Sequence, residues 1–135
     1  MADFNTQVIE EFRANGGRVG GMFEGSPMIL VTHTGHRSGR RITTPLVYTR
    51  DGDDVVIIAS KGGADEHPLW YLNIQADPNV HVELGEDSWD ATARVLEDGE
   101  ERDRLYAAQA ALMPNFAEYQ EKTERRIPVV VLSRA

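Results

Sequence analysis

The chain has 135 residues, 41% of them hydrophobic, enough for one folded core and too many for a disordered tail. Its 22 acidic residues outnumber 14 basic ones, and the net charge of -8 argues against a general nucleic-acid binder or simple attachment to anionic lipid. No cysteine is present, so disulfides and thiolate chemistry are excluded, and a reducing cytoplasm is a compatible location.

Residues 3–14 place Phe4, Val8, Ile9 and Phe12 near one face of a helix that docks on the core, and Asn15-Gly16-Gly17 stops it. Asp3, Glu10, Glu11 and the lack of a long apolar run exclude a signal peptide, and the acidic polar face weakens a membrane-surface role. Arg18–Pro27 reads as a Gly-rich loop. Met28–Thr34 is a strand buried on both faces, and a basic turn leads into a second strand over Arg41–Arg50. Pro45 removes a ladder donor there, which implies an edge position or a bulge. Asp51–Asp54 turns the chain into Val55–Ser60, and three strands with short links suggest a meander. The longest apolar runs, such as Val55–Ala59, are far too short to span a bilayer.

Lys61–Ala64 is a loop, followed by a helix over His67–Gln75 with Pro68 in its first turn. Val80–Leu84 alternates as a half-buried strand, and Ser88–Val95 is its hairpin partner. Glu97–Glu101 opens a helix through Arg102–Leu112, with Leu105, Ala108 and Leu112 inward. Phe116–Thr123 is a short helical piece, and Ile127–Ser133 a final buried strand. With six strands, three or four helices and no linker, the expectation is one domain over residues 1–135: a mainly β, barrel-like antiparallel α+β fold with peripheral helices.

Arg37, Arg40 and Arg41 stand beside His36 in this acidic chain. Guanidinium forks suit a phosphate or carboxylate ligand, and Thr34, Gly35, Ser38 and Gly39 let backbone N–H groups approach it; a solvated hairpin tip is the plainer account. Ser60-Lys61-Gly62-Gly63 follows a buried strand, as a seat for a flat ligand or a plain loop, and is not a P-loop. Trp70 and Tyr71 point about 100° apart on a helix, so one can enter the core while the other faces a pocket; core packing is the simpler reading. Met113, Phe116 and Tyr119 wall a hydrophobic pocket or pack a helix on the barrel. The spacing of His33, His36, His67 and His81 gives no metal motif, and neither a GxSxG elbow nor a Cys–His pair is present. Arg125-Arg126 either extends the basic patch or forms a surface ion pair with Glu121 or Glu124.

Five blocks occur in order over residues 28–133: Thr32-x-Thr34-Gly35-His36-Arg37-Ser38-Gly39, Thr43–Tyr48, Ala59–Ala64, His67-Pro68-x-Trp70-Tyr71-x-Asn73, and Arg125-x-Ile127–Val131. The series closely resembles the deazaflavin-dependent nitroreductase family of actinobacteria. The resemblance implies an antiparallel six-stranded split β-barrel, related to FMN-binding oxidases, with reduced coenzyme F420 as hydride donor. It implies that His36, Arg37, Ser38, Gly39, Arg40 and Arg41 grip the coenzyme's phosphate and oligoglutamate tail. Pro45, Leu46, Ile58, Ala59, Ser60 and Lys61 would border the ring, and Leu69, Trp70, Tyr71 and Asn73 would close over it. Val47, Met113, Phe116 and Tyr119 would face the substrate, while Ser60 steadies oxygen charge and Tyr119 or solvent supplies a proton.

His36 stands where the family usually has Arg, Ile42 near where another Arg is common, and Arg41 where Pro is frequent, so the tail grip is shifted toward Arg40 and Arg41 or weakened. Val47 and Met113 stand where nitroimidazole-reducing members can carry Tyr, which puts bicyclic nitroimidazole reduction in question. The expected enzyme is an F420H2-dependent reductase of hydrophobic quinones, enones or lactones, and some nitro compounds. The alternatives are an FMN-dependent split-barrel enzyme, a deazaflavin carrier or sensor without turnover, and a lipid- or nucleic-acid-binding barrel that the charge disfavours. A small hydrophobic substrate, no nucleic acid and no metal are expected. Peripheral membrane contact, monomer and homodimer are all compatible.

Overall fold

The computed structural model describes residues 4–20 and 27–135. Its elements run α1 (Phe4–Ala14), β1 (Met28–Thr34), β2 (Arg41–Val47), β3 (Thr49–Asp51), β4 (Asp54–Ile58), a 3-10 turn (Lys61–Gly63), α2 (Leu69–Ala76), β5 (Asn79–Leu84), β6 (Asp87–Leu96), α3 (Glu100–Leu112), α4 (Asn115–Glu121) and β7 (Val129–Arg134). Residues 21–26 of the loop expected over Arg18–Pro27, and the Phe4 side chain, lie outside the described residues.

All seven strands form one antiparallel sheet in the order β2-β1-β5-β6-β7-β4-β3. The count is seven rather than six because the stretch read as one strand over Arg41–Arg50 is broken at Tyr48. The meander is overturned for the same reason. β2 pairs only with β1, and β3 pairs with β4 at the opposite margin. Two margins joined by the single residue Tyr48 must lie close together, so the sheet curls round on itself. Pro45 does sit on an edge strand, opposite Leu30.

Alternation along the strands sorts the apolar residues between two faces. Ile29 and Val31 of β1, Val55 and Ile57 of β4, Val80 and Val82 of β5, and Val130 and Leu132 of β7 share one core with Trp70, Tyr71 and Ile74 of α2. Met28 and Leu30 turn the other way, onto Val8 and Phe12 of α1. Val56, Ile58, Val129 and Val131 meet Leu105 and Tyr106 of α3 and Phe116 of α4. β1 is therefore buried on both sides, as its unbroken apolar run implied. Fully burying one such side chain is worth about 1.5–3 kcal/mol.

The inward face of α3 differs from expectation. Ala108 is exposed and Leu112 is 74% exposed, while Arg102, Leu105, Tyr106 and Gln109 are buried. Arg102 takes an inward position because partners await it, while Gln109 is satisfied only at its oxygen. Arg102 donates to Ile127 O at 2.7 and 3.0 Å and to Gln120 Oε1 at 2.6 Å, and Gln109 Oε1 accepts from Thr49 Oγ1 at 3.2 Å. Among the described residues, no helix is long and apolar enough to cross a membrane, and no cluster of three or more His, Asp or Glu could hold a metal ion.

Candidate active site

The turn between β1 and β2 is closed by its own backbone. Gly35 N donates to Arg40 O at 2.8 Å, Gly39 N to Gly35 O at 2.9 Å, and Arg40 N to Ser38 Oγ at 3.2 Å. Arg41 is held at the base, donating to Thr34 Oγ1 at 2.9 Å and Asn79 O at 3.5 Å. Among the described residues, the exposed Arg37 and Arg40 guanidinium groups have no hydrogen-bond or ion-pair partner. Of the three arginines expected to act together, Arg37 and Arg40 are unpartnered among the described residues, and Arg41 is tethered through Nη1 alone.

Behind the turn lies a polar chain that sequence reading did not assemble. Asn73 Oδ1 accepts from His36 N at 3.0 Å and from His36 Nδ1 at 2.6 Å, and Asn73 Nδ2 donates to His33 Nδ1 at 3.1 Å. His33 Nδ1 accepts, so the ring proton is on Nε2, which donates to Thr44 Oγ1 at 2.9 Å. The alternation of β1 placed His33 on the core face with Ile29 and Val31, and a polar group there requires such partners.

Burial, reinforced by the Arg41 charge, pulls the His33 pKa from 6.5 down to about 4. The unfolded chain takes up this proton first, so the stabilising contribution is intact above pH 6.5 and is lost as pH falls toward 4. Urea unfolding at pH 7 and pH 5 is expected to show a loss of about 2 kcal/mol that His33→Gln lacks.

Turn and helix together wall a cavity of about 400 Å³. It is lined by Gly35, His36, Arg37 and Ser38 of the turn, Ile42 of β2, and Leu69, Leu72 and Asn73 of α2. Leu69 is 60% exposed and Leu72 37%, a cost that a flat apolar ligand would relieve. A slot with largely apolar walls, lined by Arg37 and with Arg40 exposed on the same turn, fits a planar ring carrying an anionic tail.

The remaining site residues fall into two groups. Past the pair Thr49↔Val56 the β3–β4 ladder stops, and β2 has no partner on its outer edge, so the sheet is open between β2 and the end of β4. Pro45 and Leu46, both half-buried, stand on one border, with the half-buried Ser60 and exposed Lys61 following β4 on the other. Val47, Met113, Phe116 and Tyr119 meet Ile58 in one apolar cluster. Ala59 and Tyr71 are 0% exposed and Trp70 7%, so both aromatic rings of α2 enter the core rather than dividing between core and pocket.

Arg125 corrects the expectation of a surface ion pair with Glu121 or Glu124. Its guanidinium turns inward onto Ala59 O, Ser60 O, Ala64 O and His67 Nδ1 at 2.8–3.1 Å. The sequence signal was its place in a motif just before a buried strand, where an exposed pair would have had no need of arginine's fork.

A curled seven-stranded antiparallel sheet with a cleft lined by Arg37 and apolar side chains defines an α+β protein with room for a planar ligand bearing an anionic group. The profile of the F420H(2)-dependent quinone reductase family matches residues 5–134. An F420H(2)-dependent quinone reductase of Mycobacterium tuberculosis is 38% identical over 126 residues, covering 91% of this chain and 85% of its own. A solved F420-H2 dependent reductase, FDR-A, is 41% identical with a TM-score of 0.73, covering 79% of this chain and 94% of its own. A second solved structure, described as a domain-swapped dimer, is 37% identical with a TM-score of 0.75, covering 94% and 95%. The chain belongs to the F420H(2)-dependent quinone reductase family. It is an oxidoreductase whose coenzyme is F420, and the FMN alternative gains no support.

Proposed function

We propose that this chain, as one split-barrel reductase domain over residues 1–135, reduces a hydrophobic quinone in the opening between β2 and the end of β4. Reduced F420 supplies a hydride, and a ring carbon in place of the flavin's reactive nitrogen makes it a poor single-electron donor. The protein's work is orientation and exclusion of water. Arg37 and Arg40 hold the anionic tail, with Ser38 and the backbone of Gly39 beside them. His36 and Asn73 shape the slot, and Leu69 and Leu72 cover its apolar part. Pro45, Leu46, Ser60 and Lys61 border the ring, the buried Ile58 and Ala59 back that wall, and Trp70 and Tyr71 stiffen it from within the core. Arg41 braces the turn through Nη1 and offers its remaining donors to the same tail. Val47, Met113, Phe116 and Tyr119 receive the quinone.

Ser60 steadies the charge that builds on the acceptor oxygen. Tyr119 delivers a proton: its hydroxyl oxygen accepts from Asn115 Nδ2 at 2.9 Å, which leaves its own O–H free to donate. The observation that carries the reading is the Arg37 guanidinium lining an apolar-walled cavity, with Arg40 exposed on the same turn and both unpartnered among the described residues, in a chain of net charge -8. Side-by-side fluorescence titrations with F420 and FMN test it, followed by a quinone panel read through coenzyme absorbance. F420 is expected to bind and to be oxidised by quinones; equal, weak binding of both cofactors overturns the reading. Ser60→Ala is expected to lower kcat about 10- to 100-fold with less than about a twofold change in coenzyme affinity. Unchanged turnover removes Ser60 from the mechanism.

A further inference from the structure

The segment after β4 has an unusual backbone. Lys61, a non-glycine residue, has φ +46°, followed by Gly62 at +64° and Gly63 at +85°. Left-handed φ at a side-chain-bearing residue is strained and persists only where surrounding structure enforces it. Gly63 supplies part of that enforcement, since a Cβ there would lie 2.8 Å from Tyr119 O, so this face of the turn is seated on α4. The turn's own side chains supply little. Ser60 makes no cap hydrogen bond, and Lys61 pairs only with the exposed Glu66 at 3.3 Å.

The turn's own backbone closes it in part, Gly63 N donating to Ser60 O at 2.9 Å and Ala64 N to Lys61 O at 3.2 Å, and Arg125 ties its two ends. Its Nε donates to Ala64 O at 3.1 Å, Nη1 to Ala59 O at 3.1 Å and His67 Nδ1 at 3.0 Å, and Nη2 to Ser60 O at 3.0 Å and Ala64 O at 2.8 Å. Five contacts use all five donors of the guanidinium, so no N–H remains for a ligand anion. The acceptors bracket the strained turn, Ala59 and Ser60 before it and Ala64 after it. One planar cation thus draws both ends of the turn together. Thr123 Oγ1 holds the approach to Arg125, accepting from Arg125 N at 3.1 Å and donating to Asp65 Oδ1 at 2.8 Å.

We infer that Arg125 is a positioning residue for hydride transfer, holding the turn over residues 60–63 so that Ser60 and Lys61 present to coenzyme and acceptor. The inference rests on the proposed placement of the coenzyme against that turn. Lysine keeps the charge but offers three donors from one point, which cannot span carbonyls on both sides of the turn.

Arg125→Lys tests this, with the exposed neighbour Arg126→Ala as control. Three quantities are read: the Kd for oxidised F420 by fluorescence, kcat and KM with a soluble quinone, and amide hydrogen exchange over residues 60–64. Expected for Arg125→Lys are exchange faster by at least tenfold, a several-fold rise in coenzyme Kd and a kcat lower by tenfold or more, with quinone KM within twofold. Arg126→Ala should change none of these. A lowered Tm with exchange, Kd and kcat unchanged overturns the inference, leaving Arg125 a stabilising residue only. Wild-type protein that fails to bind F420 overturns the proposed function and this inference together, whereas normal binding by both proteins overturns only the inference. If Arg125→Lys is recovered unfolded, His67→Phe removes one acceptor and leaves the guanidinium in place. It should raise exchange and lower kcat about threefold, with no change again overturning the role.

Discussion

Replacing Arg37 and Arg40 together by alanine will raise the Kd for F420 by at least about 100-fold while leaving the melting temperature almost unmoved. The two effects separate because neither guanidinium has a partner within the described protein, so no native contact is lost. A hydrogen bond to a charged group is worth about 1.5–3 kcal/mol, and two such losses exceed two powers of ten in affinity. The same charges sit near solvent, so wild-type affinity will fall as salt rises, and the double variant will lose most of that dependence. Titrations at low and high salt check both points. A double variant that binds as wild type does would mean that the tail lies elsewhere. The contrast with Arg41 is informative: Arg41→Ala removes the contacts to Thr34 and Asn79 and is expected to act through the shape of the turn.

Asn73→Ala has the second large effect, and it falls on stability as well as on binding. The amide satisfies His33 Nδ1 on one side and two His36 donors on the other. Deleting it strands a buried histidine acceptor and frees the turn that carries Arg37 and Arg40. A buried polar group left unsatisfied costs about 1–3 kcal/mol, so the expected loss is about 3 kcal/mol, or roughly 10 °C in Tm for a chain of this size. Coenzyme affinity should fall as well. Asn73→Asp separates the contributions. A carboxylate still accepts from His36 but cannot donate to His33, and its charge would favour a protonated imidazole. The stability lost on going from pH 7 to pH 5 in wild type should then shrink or reverse. Chemical denaturation at the two pH values reads this directly.

Much of the fold was legible because period and punctuation agreed. Met28–Val31 runs apolar at every position because one face meets α1 and the other the core under α2. Pro45 announced an edge strand, and β2 is one. What the sequence did not reveal was pairing between strands far apart in the chain. Nothing local at Tyr48 signals that the strands before and after it belong to opposite margins of the sheet. The face of α3 was misjudged because hydrophobicity was taken as the guide to burial, whereas Arg102 is buried by its contacts with Ile127 and Gln120. The basic turn, the Ser60–Lys61 segment and α2 were recognisable as motifs. The division of labour among them was not, because it depends on which donors are already spent. Arg41 and Arg125 are engaged, Arg37 and Arg40 are free, and residue type alone cannot distinguish these states.

The strand order also bears on how the molecule comes into being. β7 pairs with both β4 and β6, and so joins the β3–β4 hairpin to the rest of the sheet. Until it arrives, Val55 and Ile57 face no completed interior, although the ribosome has released them long before. The nascent chain therefore carries two sticky hairpins whose common partner is synthesised late. Non-local closure of this kind is slow and leaves edges open to wrong partners. Cellular yield should accordingly be most sensitive to changes in Val129–Leu132, even conservative ones that the finished sheet tolerates.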